Sequence, residues 1–170
     1  MNYFFDMDGT LAVYHWWVYT TPGGEPWWKK IAGTHYYANL PPHQKMLEFV
    51  KERLKEDRES VYLLTSVGVM EESAYYEHVL DKSKWVMQHL PELLPDHFLV
   101  VKPRNPEEGT MSKVHKAEEV LQRSLCDTDY LYDDFNPNLE EWKTGGGTPV
   151  KVLNGINHFR KDMECFDIRY

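Results

Sequence analysis

A chain of 170 residues is long enough for one domain with its own hydrophobic core, and its 42% hydrophobic content is ordinary for a globular protein. The formal net charge of −8 argues against a surface for a nucleic-acid polymer, which needs a basic stripe, but it does not exclude a small anionic substrate held by one local cluster. No apolar run approaches the ~20 residues needed to span a bilayer, and no N-terminal signal is visible before the first strand. Cys126 and Cys165 stand in no metal-like spacing, so no disulfide framework is expected. A cytoplasmic location, as a monomer or homodimer without a membrane partner, follows as the expectation.

Residues 2–5 read as a short buried strand that stops at Asp6-Met7-Asp8-Gly9-Thr10-Leu11. Two carboxylates one residue apart, at the end of an apolar run, are costly to bury unless paired or placed on a cation. The segment from about 13 to 42 differs from the rest of the chain. It carries Trp16, Trp17, Trp27, Trp28, Tyr36 and Tyr37 among frequent Pro and Gly, too many breakers for a long helix. It is expected to be a small aromatic-rich insert, a reduced cap lying over the first strand's crevice.

From His43 to Asp57 the apolar residues Met46, Leu47, Val50 and Leu54 recur at helical spacing. Val61-Tyr62-Leu63-Leu64 is a second strand ending in Thr65-Ser66. Residues 68–80 read as a loop with a helical turn or two, and Asp81 as the cap of a further helix through Trp85, Val86 and Leu90, stopped by Pro91. Phe98–Val101 is a third strand, followed by Lys102, and residues 112–125 are helical. Tyr130-Leu131-Tyr132 is a fourth strand ending in Asp133-Asp134. Asn136-Pro137 supplies an N-cap and a first-turn proline for a helix that stops at Gly145. Val150–Leu153 is a fifth strand, and the tail to Tyr170 is polar without a strong pattern. Alternating strands and helices predict one α/β domain over residues 1–170, a three-layer, Rossmann-like parallel sheet with helices on both faces.

In a parallel sheet the carboxyl ends of all strands lie along one edge, where ligands bind. That topology would bring Asp6 and Asp8, Thr65 and Ser66, and Asp133 and Asp134 to one crevice. Four carboxyl groups together need a counter-charge, and Mg²⁺ suits an incomplete oxygen shell shared with a substrate phosphate. The chemistry that fits is phosphoryl transfer. Asp6 is the expected nucleophile, and Asp8 the acid that protonates the leaving alcohol and then the base for water. Thr65, Ser66 and a lysine would bind the phosphate, and Asp6, Asp8, Asp133 and Asp134 would hold the metal.

These motifs resemble those of the haloacid dehalogenase (HAD) superfamily of phosphohydrolases. Asp6–Leu11 is similar to its first motif, Leu63-Leu64-Thr65-Ser66 to its second, and Leu131-Tyr132-Asp133-Asp134 to its fourth. The third motif is a lysine near the start of the helix before the fourth-motif strand. By that match Lys116 is the first choice and Lys113 the second, with Lys102 a strand-end alternative. Stretches at 33–41, 84–90 and 133–142 resemble the 5'(3')-deoxyribonucleotidase group, which implies a nucleoside monophosphate substrate with Tyr36 and Tyr37 lining the base site. The insert departs from that group, having too little regular helix for its helical cap. A sugar phosphate or another small metabolite is the alternative substrate. A non-hydrolytic phosphoacceptor or binding domain is a remote one, because a receiver-type domain carries its phosphorylated Asp on a middle strand, after the acidic pair.

Overall fold

A computed structural model describes residues 1–13, 26–68, 71–102, 112–157 and 159–169. Trp16 and Trp17, expected in the insert, lie outside the described residues. Among the described residues, six parallel strands form one sheet in the order β3-β2-β1-β4-β5-β6. They are β1 (Asn2–Phe5), β2 (Val61–Ser66), β3 (Phe98–Val101), β4 (Asp129–Asp133), β5 (Thr148–Leu153) and β6 (Glu164–Asp167). Five α-helices are described: α1 (Trp27–Ile31), α2 (Gln44–Asp57), α3 (Glu72–His89), α4 (Lys113–Leu121) and α5 (Asn136–Thr144).

The alternation of side chains along a strand divides the core into two layers. Phe5, on one face of β1, packs with Met46, Leu47, Val50 and Leu54 of α2 and Trp85 and Val86 of α3. Phe4, on the other face, packs with Val114 and Ala117 of α4 and Leu139 and Trp142 of α5. The three-layer expectation is therefore met. β1 is central because its apolar run is covered on both faces, and its ladder continues one step past the strand, where the Asp6 N–H donates to the Tyr132 carbonyl at 2.9 Å.

The structure departs from the sequence reading in three places. First, α3 is one unbroken helix, with Asp81 buried in its middle rather than capping its start. Its cap is Glu71, whose carboxylate accepts from the Ala74 N–H. Second, the tail contributes β6, paired in parallel with β5 from Val150↔Glu164 to Leu153↔Asp167. Its side chains are mostly half-buried, which explains the weak pattern. Third, α5 is preceded by Phe135, and Asn136 lies inside the helix with no side-chain cap.

The insert leaves and returns at one point. Val13 N–H donates to the Pro41 carbonyl at 2.8 Å, and His43 N–H to the Leu11 carbonyl at 2.7 Å. The described part carries α1 and a 3₁₀ turn at Tyr37–Asn39. Trp85, fully buried, ties it to α3 by donating its indole N–H to the Leu40 carbonyl at 2.7 Å.

At the opposite edge of the sheet, the fully buried Asp129 carboxylate joins the starts of β1 and β4. It accepts from Asn2 Nδ2 at 2.7 Å, from Arg123 at 2.6 and 2.8 Å and from the Cys126 N–H at 2.9 Å. Burial alone would raise its pKa, but the bonds from Arg123, Asn2 and Cys126 outweigh it and hold the carboxyl below the usual range. The folded state therefore prefers the ionised form. That part of the stability is present above the unfolded value of about 4 and is lost as the pH falls below it. Asp129→Ala is expected to cost about 3 kcal/mol at neutral pH. Urea unfolding at neutral and acid pH checks this: the difference between the proteins should shrink as the pH drops below about 4.

Candidate active site

Asp6 follows β1 and lines a cleft of about 250 Å³ at the carboxyl edge of the sheet, with Asp8, Ser66, Gly68, Asp134, Phe135 and Asn138. Between the two aspartates and the insert the chain makes a tight turn, in which Leu11 and Ala12 N–H groups donate to the Met7 carbonyl at 2.9 and 2.8 Å. Gly9 adopts φ +77° there, and a Cβ at that position would stand 2.4 Å from Asp134 Oδ2. A glycine is thus required on two grounds, backbone conformation and close approach of a carboxylate.

Asp6, Asp133 and Asp134 each offer one ligand atom within 4.8 Å of the others. Asp133, at the end of β4, is fully buried; it accepts from the Phe135 N–H at 2.8 Å and from Asn138 Nδ2 at 2.8 Å. Asp134 is fixed from the end of β5. Asn154 donates to its Oδ2 at 3.0 Å and to the Gly9 carbonyl at 2.9 Å, while Lys151 and Asn157 donate to its backbone carbonyl.

Lys113, the first residue of α4, supplies the cation at the cluster's centre. Its Nζ donates to Asp6 Oδ1 at 2.6 Å and to Asp133 Oδ2 at 2.7 Å, and the side chain is only 4% exposed. Ser112, the N-cap of α4, sets the helix start that aims Lys113 inward. Lys116, the first choice from the sequence, lies one turn further on and points away. It pairs with Glu119 at 2.9 Å on the outer face. A three-residue step turns the side chain about 300° around a helix, enough to exchange a buried position for a half-exposed one. Lys102 stands at the surface over the Tyr75 ring.

Burial is the main cause that raises the Asp6 carboxyl, to about 7; Asp133 and Asp8 add to it against the pull of Lys113 and Lys82. Burial, then Asp133 and Asp6, likewise pushes Asp134 well up. Burial would lower the Lys113 ammonium, but Asp133 and Asp6 outweigh it and hold its pKa above the ordinary value. With all three carboxyls ionised they would outnumber the one ammonium bonded to them, and the raised Asp6 and Asp134 carboxyls express that shortage of positive charge in an all-oxygen site. Those donors fit a hard divalent cation such as Mg²⁺.

The structure does not bring the Asp8 carboxylate into that group. Lys82 of α3, which the sequence reading did not single out, donates to Asp8 Oδ2 at 2.7 Å, to Thr65 Oγ1 at 2.8 Å and to the Ser66 carbonyl at 3.1 Å. Thr65 is fully buried beneath Lys82, and it is Ser66 that borders the cleft. Tyr36 and Tyr37, expected to line a base site, do not border the cleft either. Tyr37 is buried with its ring 4.8 Å from Lys82 Nζ, and Tyr36 packs edge-on against it on the core. The aromatic side chain that does border the cleft is Phe135. Lys82 was legible in principle. Read as one helix, residues 72–89 place it on the same stripe as Ala74, His78 and Trp85, a buried face interrupted by a lysine.

The fold has solved counterparts. A HAD-superfamily hydrolase from Ehrlichia chaffeensis superposes with a TM-score of 0.55 at 11% identity, covering 97% of this chain and 90% of that one. A HAD family hydrolase from Deinococcus radiodurans R1, solved with bound phosphate and sodium, gives 0.54 at 9% identity over 92% of this chain and 82% of its own. This chain has the fold of the HAD hydrolases. A scan against protein-family models and a search of curated proteins each return no match. No described helix is long and apolar enough to cross a membrane.

Proposed function

We propose that this chain is a Mg²⁺-dependent phosphomonoesterase of the HAD type, working through an aspartyl-phosphate on Asp6. The observation that carries the proposal is the convergence of Asp6, Asp133 and Asp134 around Lys113 at the carboxyl ends of β1 and β4. A structural ion-pair cluster would be expected to satisfy its carboxyls; this one holds Asp6 and Asp134 above their usual range and opens on a cleft.

Asp6, Asp133 and Asp134 would hold the cation, which when bound neutralises charge between the attacking carboxylate and the phosphoryl oxygens. Lys113 holds Asp6 Oδ1, leaving Oδ2 to attack phosphorus. As the Asp6–phosphorus bond forms, the bond from phosphorus to the ester oxygen breaks, and Asp8 gives its proton to the departing alcohol. The Asp8 carboxylate then takes a proton from water, whose oxygen attacks phosphorus and releases Asp6. Ester and water become alcohol and phosphate, and both carboxyls return to their starting state. An ammonium has three N–H donors, and Lys113 uses two on Asp6 and Asp133. The third is available to a phosphoryl oxygen as charge develops on it.

For the substrate we propose a (deoxy)nucleoside monophosphate. The motif neighbourhoods described above support it, together with the exposed Phe135 ring bordering the cleft, a flat apolar face on which a base can stack. The insert from about 13 to 42 is the proposed cap of a single domain, and Tyr36 and Tyr37 act within it as packing residues.

Phosphate release should be measured from an aryl phosphate, nucleoside monophosphates and sugar phosphates, with Mg²⁺ and with EDTA. The expected result is turnover with Mg²⁺, a loss of at least about 100-fold with EDTA, and preference for nucleotides. Absence of turnover on every ester with Mg²⁺ would overturn the phosphatase reading. A preference for sugar phosphates would overturn the nucleotide.

A further inference from the structure

The geometry points to Lys82 as a positioning residue that acts through Asp8; the inference rests on the phosphatase reading and deepens it. Lys82 is fully buried on the inward face of α3, on one stripe with Ala74, His78 and Trp85. Its three N–H donors are spent on Asp8 Oδ2, Thr65 Oγ1 and the Ser66 carbonyl. The Tyr37 ring covers the ammonium at 4.8 Å. With its donors used, Lys82 has none for a phosphoryl oxygen, which separates it from Lys113.

What Lys82 does is hold one oxygen of Asp8 and leave the other. Among the described residues Oδ1 is buried and has no hydrogen-bond partner. Asp8 also borders the cleft. Lys82 therefore fixes the Asp8 carboxyl by its Oδ2 at the border of the cleft, where it exchanges a proton with the leaving alcohol and then with water. The anchor is rigid because it is tied to the end of β2 through Thr65 and the Ser66 carbonyl and wedged beneath Tyr37. This gives the buried Thr65 a role as a support for Lys82. It also ties the insert to the chemistry, since Tyr37 is an insert residue pressing on the lysine that sets Asp8.

A group acting through a general acid matters most where the leaving oxygen needs a proton. An alkyl phosphate needs it; p-nitrophenyl phosphate, whose phenolate leaves unaided, does not. Lys82→Met is expected to lower kcat/KM, which ends at departure of the alcohol and leaves out the water step shared by both esters, by about 100-fold on an alkyl phosphate and by less than about 10-fold on p-nitrophenyl phosphate. A merely structural role would lower both alike, and equal losses on the two esters, in a wild type active on both, would overturn the inference alone. Should Lys82→Met fail to fold because the half-buried Asp8 loses its ion pair, the double variant with Asp8→Asn removes that charge. The double variant is expected to match Asp8→Asn alone on both esters, and a further loss of ten-fold or more would overturn the inference. A wild type inactive on both esters would overturn the phosphatase reading and this inference with it.

Discussion

Asp6→Asn is expected to abolish phosphate release from an aryl phosphate, by at least about 10⁴-fold in kcat, while the chain stays folded. The amide has the shape of the carboxylate but cannot form the aspartyl-phosphate. Folding should survive because Asp6 is under electrostatic and burial strain: burial, Asp133 and Asp8 push its carboxyl up to about 7. The variant also has a thermodynamic signature. An unfolded aspartate gives up its proton near pH 4, whereas folded Asp6 retains it until about 7. Between those values the unfolded state binds fewer protons, so the stability of the cation-free protein should fall as the pH rises from about 4 through about 7. Asp6→Asn should remove that part of the slope. Thermal unfolding in EDTA across this range, set beside single-turnover phosphate release, checks both parts. Retained activity would remove Asp6 from the nucleophile's role.

Lys113→Met should be the next most damaging change, with kcat reduced by about 10²–10³-fold, while Lys116→Met stays within about two-fold of the wild type. Lys113 stands 2.6 Å from Asp6 and 2.7 Å from Asp133, whereas Lys116 pairs with Glu119 outside. Removing Lys113 also leaves two buried carboxylates without their ammonium, a loss of about 3–5 kcal/mol in stability that a bound divalent cation should partly restore. Lys116→Met should leave unfolding within about 0.5 kcal/mol, as expected for an exposed i,i+3 pair. Comparable mild effects from both variants would take the phosphate-binding role away from this helix.

The acidic motifs were legible because a parallel sheet makes strand ends neighbours. Once Asp6, Thr65 and Asp133 are each read at the end of an apolar run, their convergence needs no further information. The lysine was not legible in the same way. Lys113 and Lys116 sit three residues apart in one helix start, about 60° apart around its axis, and which of them meets the carboxylates depends on where the helix begins against the strand ends; Ser112 sets that start. Lys82 was missed for a related reason. Splitting residues 68–90 at Asp81 hid the stripe on which Lys82 is buried, because a charged pair in mid-helix reads as a cap when local preference alone is used. β6 was missed because an edge strand, half covered, lacks a strong apolar alternation.

The sequence by itself determined the fold class and the meeting of the first strand's carboxylates with those of the fourth strand at one edge. Those follow from local pattern plus one topological rule, that parallel strands share a carboxyl edge. Only the tertiary structure decided the division of the cations. It set Lys113 between Asp6 and Asp133, and Lys82 beneath Tyr37 against Asp8. It also moved the aromatic pair from the cleft into the support of that second lysine. The physical reason is that a lysine's role depends on which buried acceptors its ammonium meets at hydrogen-bond distance. Here those acceptors lie 16 to 107 residues away along the chain.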